Sequence, residues 1–114
     1  MKVDQVRGHL DLILLEILSQ HPGHGYAVIA ILRERTRGAL ELTEGAVYPA
    51  LHRLEDLGLL TSDWQPVAGR RRRLYRVSER GLGALAAQRR DWRALVAAVE
   101  SVLGSPKAAG ASPA

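Results

Sequence analysis

The sequence predicts a mainly α-helical domain that carries one small two-stranded β-hairpin and ends in a long helix. Three observations predict it. Apolar residues recur at steps of three and four through three successive segments between Leu10 and Leu57. A cluster of turn formers, Pro66-Val67-Ala68-Gly69, then separates two short runs of strand character. From Leu82 to Leu103 the helical spacing returns and is sustained over three heptads' length. Composition agrees: 46% of residues are hydrophobic but only 4% aromatic, with no Phe, so the core must be built from Leu, Val, Ile and Ala. That mixture favours helices over a β-sandwich, and 114 residues make one ordinary domain.

The first helix rests on Leu10, Ile13, Leu14, Ile17 and Leu18, which form one apolar stripe. Leu12 and Leu15 lie off that stripe, so the helix has a second apolar face for another part of the chain or for a partner subunit. His21-Pro22-Gly23 stops it. A second helix is expected from Gly25 to Arg37, with Tyr26, Ile29 and Leu32 inward, Arg33, Glu34 and Arg35 solvated, and Gly38 at its end. Thr43 is a suitable N-cap for a third, whose stripe is Val47, Leu51, Leu54 and Leu57 and whose end is Gly58. Pro49 falls inside this helix and predicts a local bend, because it removes one backbone donor and crowds the preceding turn.

The hairpin follows, with Leu60 to Trp64 as its first strand and Arg70 to Val77 as its second. Ser78 caps the last helix, along which Leu82, Leu85, Arg89, Trp92, Val96, Val99 and Leu103 form a seam with one charged interruption. From Gly104 onward the chain is Gly, Ser, Pro, Ala and one Lys, a composition too poor in apolar area to offset its ordering entropy. The expected organisation is therefore a helix–hairpin unit over 1–77, a long helix over 78–103 and a disordered tail over 104–114.

Charge narrows the partners. The chain carries +4 overall, but between Pro66 and Arg93 there are nine Arg against two acids, Glu79 and Asp91, a local excess of seven that leaves the remainder at −3. The absence of cysteine removes disulfides, thiolate metal sites and cysteine nucleophiles. His21 and His24, with His9, stand near enough in sequence to suggest a shared metal, but no third ligand has a motif spacing with them; they punctuate a loop, and no metal or other cofactor is expected. No nucleophile–base arrangement or phosphate-binding loop is present, so no enzyme is predicted. Asp11 and Glu16 interrupt the one long apolar stretch, and the amino terminus lacks the pattern of a signal peptide. The expectation is a soluble, cytoplasmic protein without membrane contact.

The order helix, helix, helix, hairpin, helix is that of winged helix-turn-helix proteins, in which the third helix can enter a major groove about 12 Å wide while the hairpin reaches the flanking backbone or minor groove. Several stretches also carry a specific resemblance: Gly25-Tyr26 opening the second helix, the run from Gly45 through Tyr48-Pro49 and Leu51 to Arg53-Leu54-Glu55, and Gly58-Leu59-Leu60. With Trp64, the segment from Leu74-Tyr75 to Arg80-Gly81, and Trp92, the chain resembles the PadR family of transcriptional regulators from about Leu10 to Leu103. It departs mildly at Ala46-Val47, where that family more often has Thr-Leu, a difference that bears on base preference and not on the fold. The resemblance implies a homodimeric repressor at a palindromic operator, released by a small molecule.

On the third helix, the face opposite the apolar stripe carries Gly45, Pro49, His52 and Asp56, flanked by Tyr48 and Arg53, with Thr43 at the cap. These are the candidate DNA contacts: Tyr48 and the helix N-terminal amides for phosphate, His52 and Arg53 for base edges or backbone. The alternative is that Tyr48 packs beside Pro49 and Arg53 pairs with Glu55 or Asp56. Arg70, Arg71, Arg72 and Arg73 either contact phosphates or form a solvated charge run; strand alternation sends Arg71 and Arg73 to one face and Arg70 and Arg72 to the other. Leu12, Leu15, Leu85, Trp92, Val96, Val99 and Leu103 are the candidate dimer interface, since the last seam is longer than a compact three-helix core can cover. The alternative is a monomer that folds this helix over its own core. Trp92 is either simple packing or, as the resemblance implies, part of a pocket for a flat aromatic effector. A winged-helix module that binds protein and never DNA is the competing class; it would need a neutral wing.

Overall fold

The computed structural model describes residues 7–104; the tail expected over 104–114 lies outside the described residues except for Gly104. A 3-10 turn, Arg7–His9, leads into α1 (Leu10–Gln20), followed by α2 (Gly25–Arg35), α3 (Glu44–Asp56), β1 (Leu60–Val67), β2 (Arg70–Val77) and α4 (Glu79–Leu103). This is the predicted mainly α fold with one hairpin and a long last helix.

α1 is the central element and touches α2, α3, α4 and β2. A helix with neighbours on so many sides must bury more than one stripe, and Leu15, expected at a dimer interface, has no exposed surface at all (0%). Its second apolar face is spent inside the chain's own core, which corrects that expectation. Leu85 of α4 is corrected in the same way: at 4% exposure it joins the cluster formed by Leu14, Leu18, Leu51 and Leu54. Leu12 remains half-buried.

α2 ends at Arg35, two residues before the expected Arg37, because the Thr36 hydroxyl donates to the Leu32 carbonyl (2.8 Å) and accepts from Leu40 N–H (3.1 Å). Gly38, at φ 81°, completes the turn by donating to the Arg33 carbonyl at 2.8 Å. α3 begins as expected, with the Thr43 hydroxyl accepting from Ala46 N–H at 3.3 Å, and continues without interruption through Pro49. Gly58, at φ 77°, ends it, so that Leu59 N–H reaches the Leu54 carbonyl at 2.9 Å. Leu57, expected on the buried stripe, is the cap residue instead and is exposed; Ala50 takes its place in the core.

The hairpin turns on two residues, Ala68 and Gly69, at φ 51° and 79°, a geometry whose twist suits antiparallel strands. β1 is therefore longer than Leu60 to Trp64 and includes Pro66, tolerated in a strand with a free edge. β2 gains a second neighbour that the sequence did not suggest: Gly23 and Tyr75 exchange both backbone hydrogen bonds, at 3.1 and 2.8 Å, and so pin the wing to the loop before α2.

α4 is capped by Ser78, whose hydroxyl accepts from Gly81 N–H (3.0 Å) and donates to the Gly58 carbonyl (2.6 Å). Gly81 is buried directly on the Leu59 carbonyl, with no room for a side-chain carbon. Further along, Arg89 pairs with Glu16 of α1. Beyond that pair every residue from Asp91 to Leu103 is exposed, including Trp92, Leu95, Val96, Val99, Val102 and Leu103. No helix of the described residues is long and apolar enough to cross a membrane.

Candidate nucleic-acid interface

The outer face of α3 is arranged as its helical spacing requires. Val47, Ala50, Leu51 and Leu54 are buried, and Gly45, Pro49, His52 and Arg53 are exposed on the other side. Thr43 is exposed at the cap. Tyr48 is half-buried because its ring lies over Gly25 of α2, where an added side-chain carbon would stand 2.7 Å from the ring. Gly25 thus permits the close approach of α2 to α3 that fixes Tyr48. Arg53 is bound to neither Glu55 nor Asp56: both terminal nitrogens donate to the carboxylate of Asp11 on α1, at 2.5 and 2.9 Å. That hydrogen-bonded pair holds the Arg53 pKa above its ordinary value. The guanidinium is a clamp between α1 and α3 before it is anything else.

The wing arginines are held in an ordered array. Arg71 and Arg73 both lie over the Trp64 ring, at 5.2 and 4.9 Å from its centre. Arg72 covers Tyr26 at 4.9 Å, and that ring stacks on His24. Tyr26, expected inward, is consequently 41% exposed: its ring serves as a platform for a cation instead of core. Arg73 donates through Nε to the Ser62 hydroxyl (2.9 Å), which in turn donates to Glu55 of α3 (2.5 Å), and the Arg73 carbonyl meets His24 Nδ1 at 2.8 Å. The strand alternation expected for the run is thus observed. Arg70 is exposed beside the turn.

The two faces nevertheless converge. Tyr48 and His52 of α3 line one open cleft of about 230 Å³ together with Arg71, Arg72 and Arg73 of β2. Its remaining walls are His24, Gly25, Trp64 and Tyr75, and no carboxylate borders it. Burial, and then the nearby Glu55 charge, push the Tyr75 hydroxyl pKa up, so it is held as a donor. Sequence reasoning missed Trp64, Tyr75 and Tyr26 as members of this site. For Trp64 a signal existed, since a two-residue turn at Ala68-Gly69 places it directly opposite Arg73.

Trp92 meets His9 edge to face at 4.7 Å and borders two open hollows of about 270 and 380 Å³, both shared with Leu12. Among the described residues no group of three His, Cys, Asp or Glu could hold a metal ion.

A three-helix body with a basic two-stranded ribbon, and a third helix whose polar face opens beside that ribbon, defines the winged helix-turn-helix class. Within it, the family model described as the transcriptional regulator PadR-like family matches residues 14–87, and the chain belongs to that family. It is similar to a transcriptional regulator of Mycobacterium tuberculosis, 42% identical over 74 residues, 65% of this chain and 66% of that protein. Among solved structures it is similar to a transcriptional regulator from Clostridium thermocellum (TM-score 0.80, 26% identity, 86% of this chain and 96% of the other). A PadR family transcriptional regulator from Eggerthella lenta is also similar, with a TM-score of 0.79 and 29% identity over 90% of this chain and 88% of the other.

Proposed function

We propose that this transcriptional regulator binds DNA sequence-specifically as a homodimer, represses from an inverted-repeat operator and is released by a small-molecule effector. The observation that carries the DNA part is the convergence of Tyr48 and His52 with Arg71, Arg72 and Arg73 on one carboxylate-free cleft. Residues up to 77 form the DNA-binding unit: α3 enters the major groove, and the wing, with Arg70 at its exposed tip, takes the flanking backbone. Residues 78–103 provide dimerisation. Trp92, Val96, Val99 and Leu103, at heptad spacing on the exposed end of α4, are an apolar stripe that stays 37% to 70% exposed although Trp92 touches His9. Two-fold pairing along that stripe sets two α3 helices on successive major grooves about 34 Å apart. The effector, a flat aromatic molecule, enters beside Trp92, where two hollows already open.

The test is a salt titration of duplex binding with the molecular mass measured in parallel. Three phosphate contacts per subunit give a log–log slope of about −5 for the dimer, and replacing Arg70 to Arg73 by Ala flattens it. A salt-independent or absent interaction excludes the DNA reading and leaves a protein-binding module. A monomeric mass at micromolar concentration excludes the dimer.

A further inference from the structure

Tyr75 is 1% exposed, the most buried aromatic side chain of the described residues, and its ring is core. Its hydroxyl makes no hydrogen bond to any described residue, yet no buried side-chain nitrogen or oxygen among them lacks a partner. Tyr75 lines the open cleft between α3 and the wing, where a partner for that hydroxyl can enter. Tyr48 and His52, on the same cleft, likewise make no side-chain hydrogen bond within the described residues. Glu55, whose charge acts on Tyr75, accepts from Ser62 and is not among the residues that line the cleft.

The cleft thus presents two kinds of surface at once. Unspent donors and the guanidinium groups of Arg71 and Arg72 suit an oxyanion, while Trp64, 51% exposed even with Arg71 and Arg73 against it, leaves apolar surface for a small ring. A bare inorganic ion would use only the first surface. We propose that this cleft holds one sugar–phosphate unit of the DNA backbone, the phosphate on the Tyr75 and Tyr48 hydroxyls and the adjacent deoxyribose against Trp64. Tyr75 is thereby a DNA-contacting residue hidden in the core, and it fixes register without reading sequence. This rests on the DNA-binding reading and adds to it a position, a residue and a phosphate.

The experiment begins with a duplex selected from a random pool by the full chain. Failure to select any duplex counts against DNA binding itself. On the selected duplex, Tyr75→Phe is expected to bind about tenfold more weakly than wild type, by the same factor on a random duplex, with an unchanged melting temperature. Methylphosphonate is then placed at each backbone position in turn. One position per half-site should weaken wild type and leave Tyr75→Phe unaffected; Tyr48→Phe supplies the same comparison if Tyr75→Phe does not fold. Selected duplex bound equally by wild type and both variants overturns the inference while leaving DNA binding intact. Deoxyribose 5-phosphate followed by phosphorus NMR separates the other source: no binding below millimolar concentration is expected, and tight binding lost in Tyr75→Phe would instead make the cleft a site for a free phosphorylated ligand.

Discussion

The body of the molecule and the outer half of α4 are both rich in Leu, Val and Ala, yet they stand in opposite relations to water. In the body, α1 is enclosed on several sides, and Leu14, Leu15 and Leu18 are at most 1% exposed. From Asp91 onward every described residue of α4 is exposed, although Trp92 rests against His9, and Val102 is 86% exposed. The same residue types at the same helical spacing therefore do different things. Inside the body they supply folding energy, whereas on α4 they leave apolar surface whose burial requires a second molecule. The division falls near the Glu16–Arg89 pair, the last polar tie between α4 and the body.

The contrast can be broken most severely from inside. Leu14→Ala should cost about 2–5 kcal/mol in urea denaturation, since a fully buried leucine leaves a cavity. Val102→Ala should change it by no more than about 0.5 kcal/mol. On the proposed dimer, Trp92→Glu acts on the other side of the divide: it should weaken association by about 2 kcal/mol or more in sedimentation equilibrium while the circular dichroism of the body is retained. A Trp92→Glu protein that still dimerises would move the interface elsewhere.

Gly81→Ala probes the joint between the two regions. A methyl group there meets the Leu59 carbonyl and the Val77 side chain, so α4 must shift or the helix start must open, at about 1–3 kcal/mol by thermal or chemical denaturation. The smallest effect is electrostatic. The hydrogen bonds from Arg89 hold the Glu16 carboxyl below its ordinary value of 4.5. A group whose folded pKa is lowered stabilises fully above the unfolded value and loses that contribution as pH falls through the folded one. Glu16→Gln should therefore cost up to about 1 kcal/mol at pH 7, a partly solvated pair being worth no more, and the difference should shrink below pH 4.5. A difference that is flat from pH 7 to pH 3 would show that the pair does not tie α4 down.

What could be read from the residues was local. Thr43, Gly58 and Ser78 begin and end helices through bonds to backbone groups within a few positions, and Ala68-Gly69 closes the hairpin on itself, so their neighbours in sequence suffice to specify them. The outer face of α3 follows from its own periodicity. What the residues left open was which neighbour each apolar face meets. Leu15 lies on a second face of α1 open to its own chain or to a partner, and its own chain takes it. Leu85 stands near the start of a seam longer than the core, and the core covers it, while Tyr26, expected inward, is exposed.

The chain order and spacing by themselves determined which segments become helix, where the hairpin turns and which end of the molecule is basic, because hydrogen bonding and helical repeat act over a few residues. Tertiary structure alone decided that Arg53 pairs with Asp11 and not with an acid on its own helix, that Arg72 rests on Tyr26, and that Tyr75 opens into the cleft beside Tyr48. Those choices join groups tens of positions apart, and which of several available partners a charged or aromatic side chain meets is set by how the packed elements lie against one another.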